Sequence, residues 1–105
     1  MILVQFYRNK NGEIKRFKIS NHGEPIVCAG VSALVISCVN FITSRLNVKV
    51  HQNYQDSEFI DFKILDTSDN SALMQANLII EQMAFGICQI HDNYPNEICI
   101  SNMEV

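Results

Sequence analysis

Between Pro25 and Leu46 the apolar residues of this chain stop alternating and fall into helical step, which limits the possible folds more than any other feature. Val27, Val31, Leu34, Val35, Cys38, Val39, Ile42 and Leu46 recur at the three-to-four spacing of one helix face. Pro25 or Ile26 suits the first turn, where the missing N–H of a proline is no loss. A stripe this long has to be covered, and 105 residues leave room for one core to cover it. Cys28, Ser32, Ser37, Asn40, Thr43, Ser44 and Arg45 interrupt the stretch, so it reads as a buried helix and not as a membrane span.

The flanking segments supply the cover. Ile2 to Arg8 alternates, with Ile2, Val4 and Phe6 on one face and Leu3 and Tyr7 on the other. Asn9-Lys10-Asn11-Gly12 predicts a turn, Asn11-Gly12 being the strongest short hairpin signal in the chain. Glu13 to Ile19 is the returning strand, and Ser20 to Pro25 a polar break. Val48 to Tyr54 and Glu58 to Leu65 read as two further strands joined through Gln55-Asp56-Ser57. Asp66 to Ser71 is dense in cap and turn residues, and the helix after it carries Leu73, Ala76, Ile80, Met83, Ile87 and Ile90 as one stripe. Asn93-Tyr94-Pro95-Asn96 stops that helix, and Glu97 to Ile100 predicts a short last strand. The order is ββαββαβ. It predicts the α+β class: residues 1–105 as a single domain, with two long helices packed on a mixed or antiparallel sheet. Ile36 and Phe41 lie off the first helix's main stripe and predict a second apolar contact, as in a homodimer.

Charge and cysteine usage narrow the function. The net charge is −3 and no basic run is longer than Lys15-Arg16, so the positive surface that binds phosphates is missing and direct nucleic-acid binding is not expected. The opening MILVQFYRNK is apolar for too short a run to be a signal peptide, so a cytoplasmic location is expected, with no membrane attachment. In that compartment Cys28, Cys38, Cys88 and Cys99 are expected to be thiols. Their gaps of 10, 50 and 11 residues match no zinc pattern, and no metal or cofactor is expected. Cys28 and Cys38 on one helix would stand about 15 Å apart, beyond disulfide reach. Cys38, Cys88 and Cys99 read as core residues, as do Met74, Met83 and Phe85. His51 reads as a solvent-facing strand residue, and His91 as structural at a helix end.

Chemistry concentrates in Ser20-Asn21-His22-Gly23-Glu24-Pro25-Ile26-Val27-Cys28-Ala29-Gly30-Val31-Ser32. A histidine precedes a helix and a cysteine sits in its first turn. Thiolate is the attacking form of cysteine, and unpaired amides at a helix start favour it and can also hold an oxyanion. His22 is close enough along the chain to fold back as acid and base, and small Ala29 and Gly30 keep the approach open. On the residues alone, a cysteine so placed is structural more often than catalytic.

The run Val27-Cys28-Ala29-Gly30-Val31-Ser32-Ala33-Leu34, followed by Val39-Asn40, resembles the ribosomal-processing cysteine protease (Prp) family. The strand-turn-strand opening, the acidic turn near Asp66 to Asp69, the second helix and Tyr94-Pro95 extend the likeness over most of the chain. The resemblance implies His22 as base, Cys28 as nucleophile and Ser32 as a site-supporting serine one helical turn on. Asn21 stands where the family has Gly, and Gly23 where it has Ala; asparagine tolerates left-handed backbone better than most residues. Pro25 occupies the usual aspartate position, which leaves Glu24 to stand in, and the loop from His22 to Cys28 is shorter than in most members. A second alignment sets His22-Gly23 against a later His-Gly of the family and leaves no catalytic histidine.

The activity implied is endopeptidase removal of a short N-terminal extension, ending in an aromatic pair, from a large-subunit ribosomal protein. The family likeness also implies a homodimer without cofactors. A protease is expected to show Cys28 as the one fast-reacting thiol. The alternative is a non-enzymatic module of the same fold that binds ribosomal protein or an assembly factor.

Overall fold

The computed structural model describes residues 1–54, 59–65 and 69–105. Along them run β1 (Ile2–Arg8), β2 (Ile14–Ser20), α1 (Pro25–Arg45), β3 (Val50–Tyr54), β4 (Phe59–Ile64), α2 (Asn70–Asn93) and β5 (Ile98–Glu104), in the expected ββαββαβ order. The strands form one mixed sheet ordered β3-β4-β2-β1-β5. Neighbours are antiparallel except β1 and β5, which run parallel from Ile2 beside Ile98 to Arg8 beside Glu104.

Alternation along the strands turns Ile2, Val4, Phe6, Phe17, Ile19, Phe62, Ile64 and Ile98 into one core. Phe17 and Phe62 face each other across β2 and β4 and stack with ring centroids 5.2 Å apart. By length and composition α1 could cross a bilayer, but here Val27, Val31, Val35, Cys38, Val39 and Ile42 are buried in the shared core. Ala76, Ile80, Met83, Ala84 and Ile87 of α2 join them. Two glycines let the helices approach. A Cβ on Gly30 would lie 3.2 Å from Ile90 Cδ1, and one on Gly86 2.9 Å from Leu34 Cδ1, a pairing that sets α1 and α2 antiparallel.

The turn expected at Asn9 to Gly12 closes the first hairpin, while several expectations further along the chain need correction. Asn9 organises the first hairpin: its Oδ1 accepts from the amides of Asn11 and Glu13, both at 3.0 Å. Gly12 has a φ of +82° and Asn11 does not share it, whereas a two-residue Asn-Gly turn needs positive φ at both. The register then slips between Tyr7 and Arg8, and that bulge returns Ile14 to the core face. The third strand starts at Val50, not Val48, and β5 runs four residues past Ile100, because backbone pairing with β1 sustains a polar edge that has no apolar period. Met74, Phe85, Cys88 and Cys99 are exposed, not core. Cys99 lies on the open face of β5, while Met74, Phe85 and Cys88 lie off the buried α2 stripe. Asp69 caps α2 by accepting from Ala72 N at 3.1 Å. The connection at Gln55-Asp56-Ser57 and the residues Asp66 to Ser68 lie outside the described residues.

On the open face of the sheet Arg16 forks onto Asp61, with Nε to Oδ1 at 2.8 Å and a terminal nitrogen to Oδ2 at 2.6 Å, tying β2 to β4. The hydrogen-bonded guanidinium holds the Asp61 carboxyl below its usual range. A depressed carboxyl stabilises the fold above its unfolded pKa, and that contribution is lost as pH falls through the folded value. Asp61→Asn is therefore expected to lower unfolding free energy by about 1 kcal/mol at neutral pH. The deficit should shrink below pH of about 4. Urea unfolding at both pH values checks this, and a deficit that ignores pH would remove the ion pair as its cause.

Candidate active site

The chain leaves β2 through Asn21, whose φ of +68° is left-handed, a conformation asparagine adopts more readily than most residues. The loop beyond it is held by its backbone. Met1 N donates to His22 O at 2.7 Å, and Glu24 N donates to Glu97 Oε2 at 2.9 Å. Glu24 is then the N-cap of α1, with Pro25 following and no side-chain cap. Cys28 N donates to Glu24 O at 2.9 Å, so Cys28 is the first residue whose amide enters the helical ladder. The first-turn amides of Ile26 and Val27 precede it and have no acceptor within the helix.

Val27 and Val31 are buried, and Cys28 and Ser32, each one residue further on, form the next row around the helix. That row faces a cavity of about 240 Å³ at the end of the sheet. Asn21, His22, Cys28 and Ser32 are its polar lining residues, with Ala29, Ile19, Phe59 and Ile60 among the apolar ones. The loop closes onto the sulfur: Gly23 N donates to Cys28 Sγ at 3.1 Å, and Sγ lies 3.5 Å from Gly23 O. An N–H aimed at sulfur stabilises negative charge carried there.

Four of the residues singled out from sequence thus share one cavity: His22, Cys28, Ala29 and Ser32. Glu24 is exposed on the helix cap and does not line it, and Gly30 turns toward Ile90 of α2 instead of the approach to Cys28. Among the described residues Ser32 makes no bond to the carbonyl four residues back; in α1 that bond is made by Thr43, to Val39 O at 2.9 Å. His51 is exposed on β3, and His91, at the end of α2, lies 3.6 Å from Asp92. Phe59, Ile60 and Glu97 were not marked by sequence. All three fall only in expected strands, and Glu97 reaches the loop from 73 positions beyond Glu24. Among the described residues no three His, Cys, Asp or Glu side chains converge as a metal site.

The family model described as cysteine protease Prp matches residues 1–99. The chain is 28% identical over 105 residues to the ribosomal processing cysteine protease Prp of Staphylococcus aureus, covering 93% of this chain and 95% of that protein. It is 26% identical over 83 residues to the Bacillus subtilis protein of the same name, covering 78% and 74% respectively. It also matches the crystal structure of the S. aureus protease with a covalently linked product peptide: TM-score 0.86, 27% identity, 97% of this chain and 99% of that one.

The four thiols differ sharply in setting. Cys28 is half-buried at the cavity, Cys38 is buried, and Cys88 and Cys99 are exposed. Burial pushes the Cys38 thiol up to about 12. Maleimide near neutral pH is expected to modify Cys28, Cys88 and Cys99 in the native protein, and Cys38 only after unfolding. Peptide mapping checks this, and native labelling of Cys38 would contradict the packing of α1.

Proposed function

The chain belongs to the cysteine protease Prp family and is a peptidase, and from that premise we propose that it removes a short N-terminal extension from a large-subunit ribosomal protein precursor. Cys28 is the nucleophile and His22 the general acid and base. The observation that carries this reading is the shared cavity, which Cys28 and His22 both line and where the Gly23 amide addresses the sulfur. The names of the S. aureus and B. subtilis relatives support the ribosomal substrate, and the product peptide bound covalently to the S. aureus protease supports the chemistry.

In this mechanism His22 takes the Cys28 thiol proton and the thiolate attacks the scissile carbonyl carbon. Negative charge moves to the carbonyl oxygen, for which the first-turn amides of Ile26 and Val27, at the positive end of α1, are the available donors. Collapse breaks the C–N bond. His22 returns its proton to the leaving amine, and the acyl part stays on sulfur as a thioester. Water then loses a proton to His22 and attacks the thioester, releasing the extension as a carboxylic acid and restoring the thiol. The apolar walls Ile19, Phe59 and Ile60 suit an aromatic side chain before the cut. Ser32 supports the polar side one turn from Cys28, and small Ala29 leaves the approach clear. The reading needs no cofactor and puts the protein in the cytoplasm, where ribosomal proteins are made. Exposed Ile36 and Phe41 on α1 support a homodimer.

A peptide spanning the junction of that extension with the mature protein tests the proposal. The wild type is expected to cut once after the aromatic pair. Cys28→Ala is expected to lower the rate by roughly 10³-fold or more, and His22→Ala by roughly 10²- to 10⁴-fold. Undiminished cleavage by Cys28→Ala would overturn the mechanism. Tight binding without turnover by the wild type would assign the chain to the non-enzymatic class.

A further inference from the structure

Glu97, in the connection between α2 and β5, makes two contacts with the 22–24 loop and one with β1. Its Oε2 accepts the Glu24 amide at 2.9 Å. Its carbonyl accepts the amide of Ile2 at 2.8 Å, which fixes Glu97 to the end of β1. Its side chain also lies against Gly23, where a Cβ would come within 3.0 Å of Oε2 and 3.2 Å of the Glu97 carbonyl oxygen. The amide of that glycine is the one that donates to Cys28 Sγ at 3.1 Å. Gly23 is thus pinned between a carboxylate and a sulfur.

The same contact supplies a cap that α1 lacks. In a capping box, a glutamate three residues into the helix accepts the N–H of the N-cap residue. Here that position is Val27, and Glu97 accepts the Glu24 amide from outside the helix.

On the reading that Cys28 and His22 carry the reaction, we infer that Glu97 is a positioning residue for peptide hydrolysis. It sets the loop so that the Gly23 amide meets the sulfur while His22 stands at the cavity. The loop needs an acceptor at the Glu97 side-chain oxygen and a residue without a Cβ at position 23. Glutamine keeps the acceptor and alanine removes it. Reacting groups lose rate steeply when displaced by about an ångström, so the loss of this grip shows in turnover more than in folding.

The experiment compares wild type, Glu97→Ala and Glu97→Gln on the junction peptide. Glu97→Ala is expected to lower kcat roughly 10- to 100-fold, with KM changed by less than about twofold. Glu97→Gln is expected to recover roughly a third or more of the wild-type kcat. Amide exchange at Glu24 is expected to speed up in the alanine variant only. Gly23→Ala strikes the same contact from the other side. Its loss is expected to be roughly threefold smaller when combined with Glu97→Ala, because the carboxylate oxygen it meets is gone.

Wild-type kcat in Glu97→Ala, or equal impairment of both Glu97 variants, would overturn the inference. If the wild type does not cut, or Cys28→Ala still does, the protease reading fails by itself. Alkylation of Cys28 then decides for Glu97: a rate altered in Glu97→Ala and restored in Glu97→Gln supports the grip, and one rate in all three refutes it.

Discussion

Val27 and Val31 are buried in the same core as Ile2, Ile19 and Ile98, and the seating of that pair governs what every other residue of the first turn can do. A helix advances about 100° per residue, so fixing the valines fixes the direction of the row beside them, Cys28 and Ser32. The other cysteine of α1 makes the contrast. Cys38 sits in the buried row, and desolvation keeps it a thiol, pushed up to about 12. Cys28, ten residues earlier, opens to a cavity and receives an amide hydrogen. The residue type is the same; the roll of the helix separates them.

The sheet order brings the remaining parts to the same place. β1 and β5 are parallel and both start at one end of the sheet, while antiparallel β2 finishes there. Phe59, the first residue of β4, pairs with Ser20 at the end of β2. Four strand ends therefore surround the entry to α1, and Ile2, Ile19, Phe59 and Ile60 become cavity walls without any of them being adjacent to Cys28 in sequence. The glycine contacts of α1 and α2, at Gly30 and Gly86, hold the helix along its length so that its first turn stays over this junction.

The parts of the fold that rest on local periodicity were legible in the sequence. The change of step at Pro25 gave α1, alternation gave the inward faces of β1 and β2, and the cap-rich stretch Asp66 to Ser71 contains Asp69, the N-cap of α2. The His22–Cys28 segment stood out because the loop, the helix start and the two side chains are contiguous. What escaped depends on pairing and on faces. β5 extends through Ser101-Asn102-Met103-Glu104 because β1 offers it hydrogen bonds, a condition no polar stretch displays by itself. Met74 and Phe85 are apolar yet exposed, since residue type alone does not tell which side of a helix meets the sheet. Glu24 carried the expected charge in nearly the expected place, but the cap geometry of α1 turns it away from the cavity and leaves Glu97, distant in sequence, against the loop.

The late position of that strut has a consequence for how the protein comes into being. The ribosome makes β1, β2 and α1 first, and the α2–β5 connection is the last contact of the 22–24 loop to be synthesised. A nascent chain carries its sulfur and imidazole long before the residue that steadies the backbone between them, and β1 waits with one edge bare until β5 arrives. The contact that holds the loop thus forms only after α2 has been made, so the backbone between Cys28 and His22 depends on nearly the whole of the described fold.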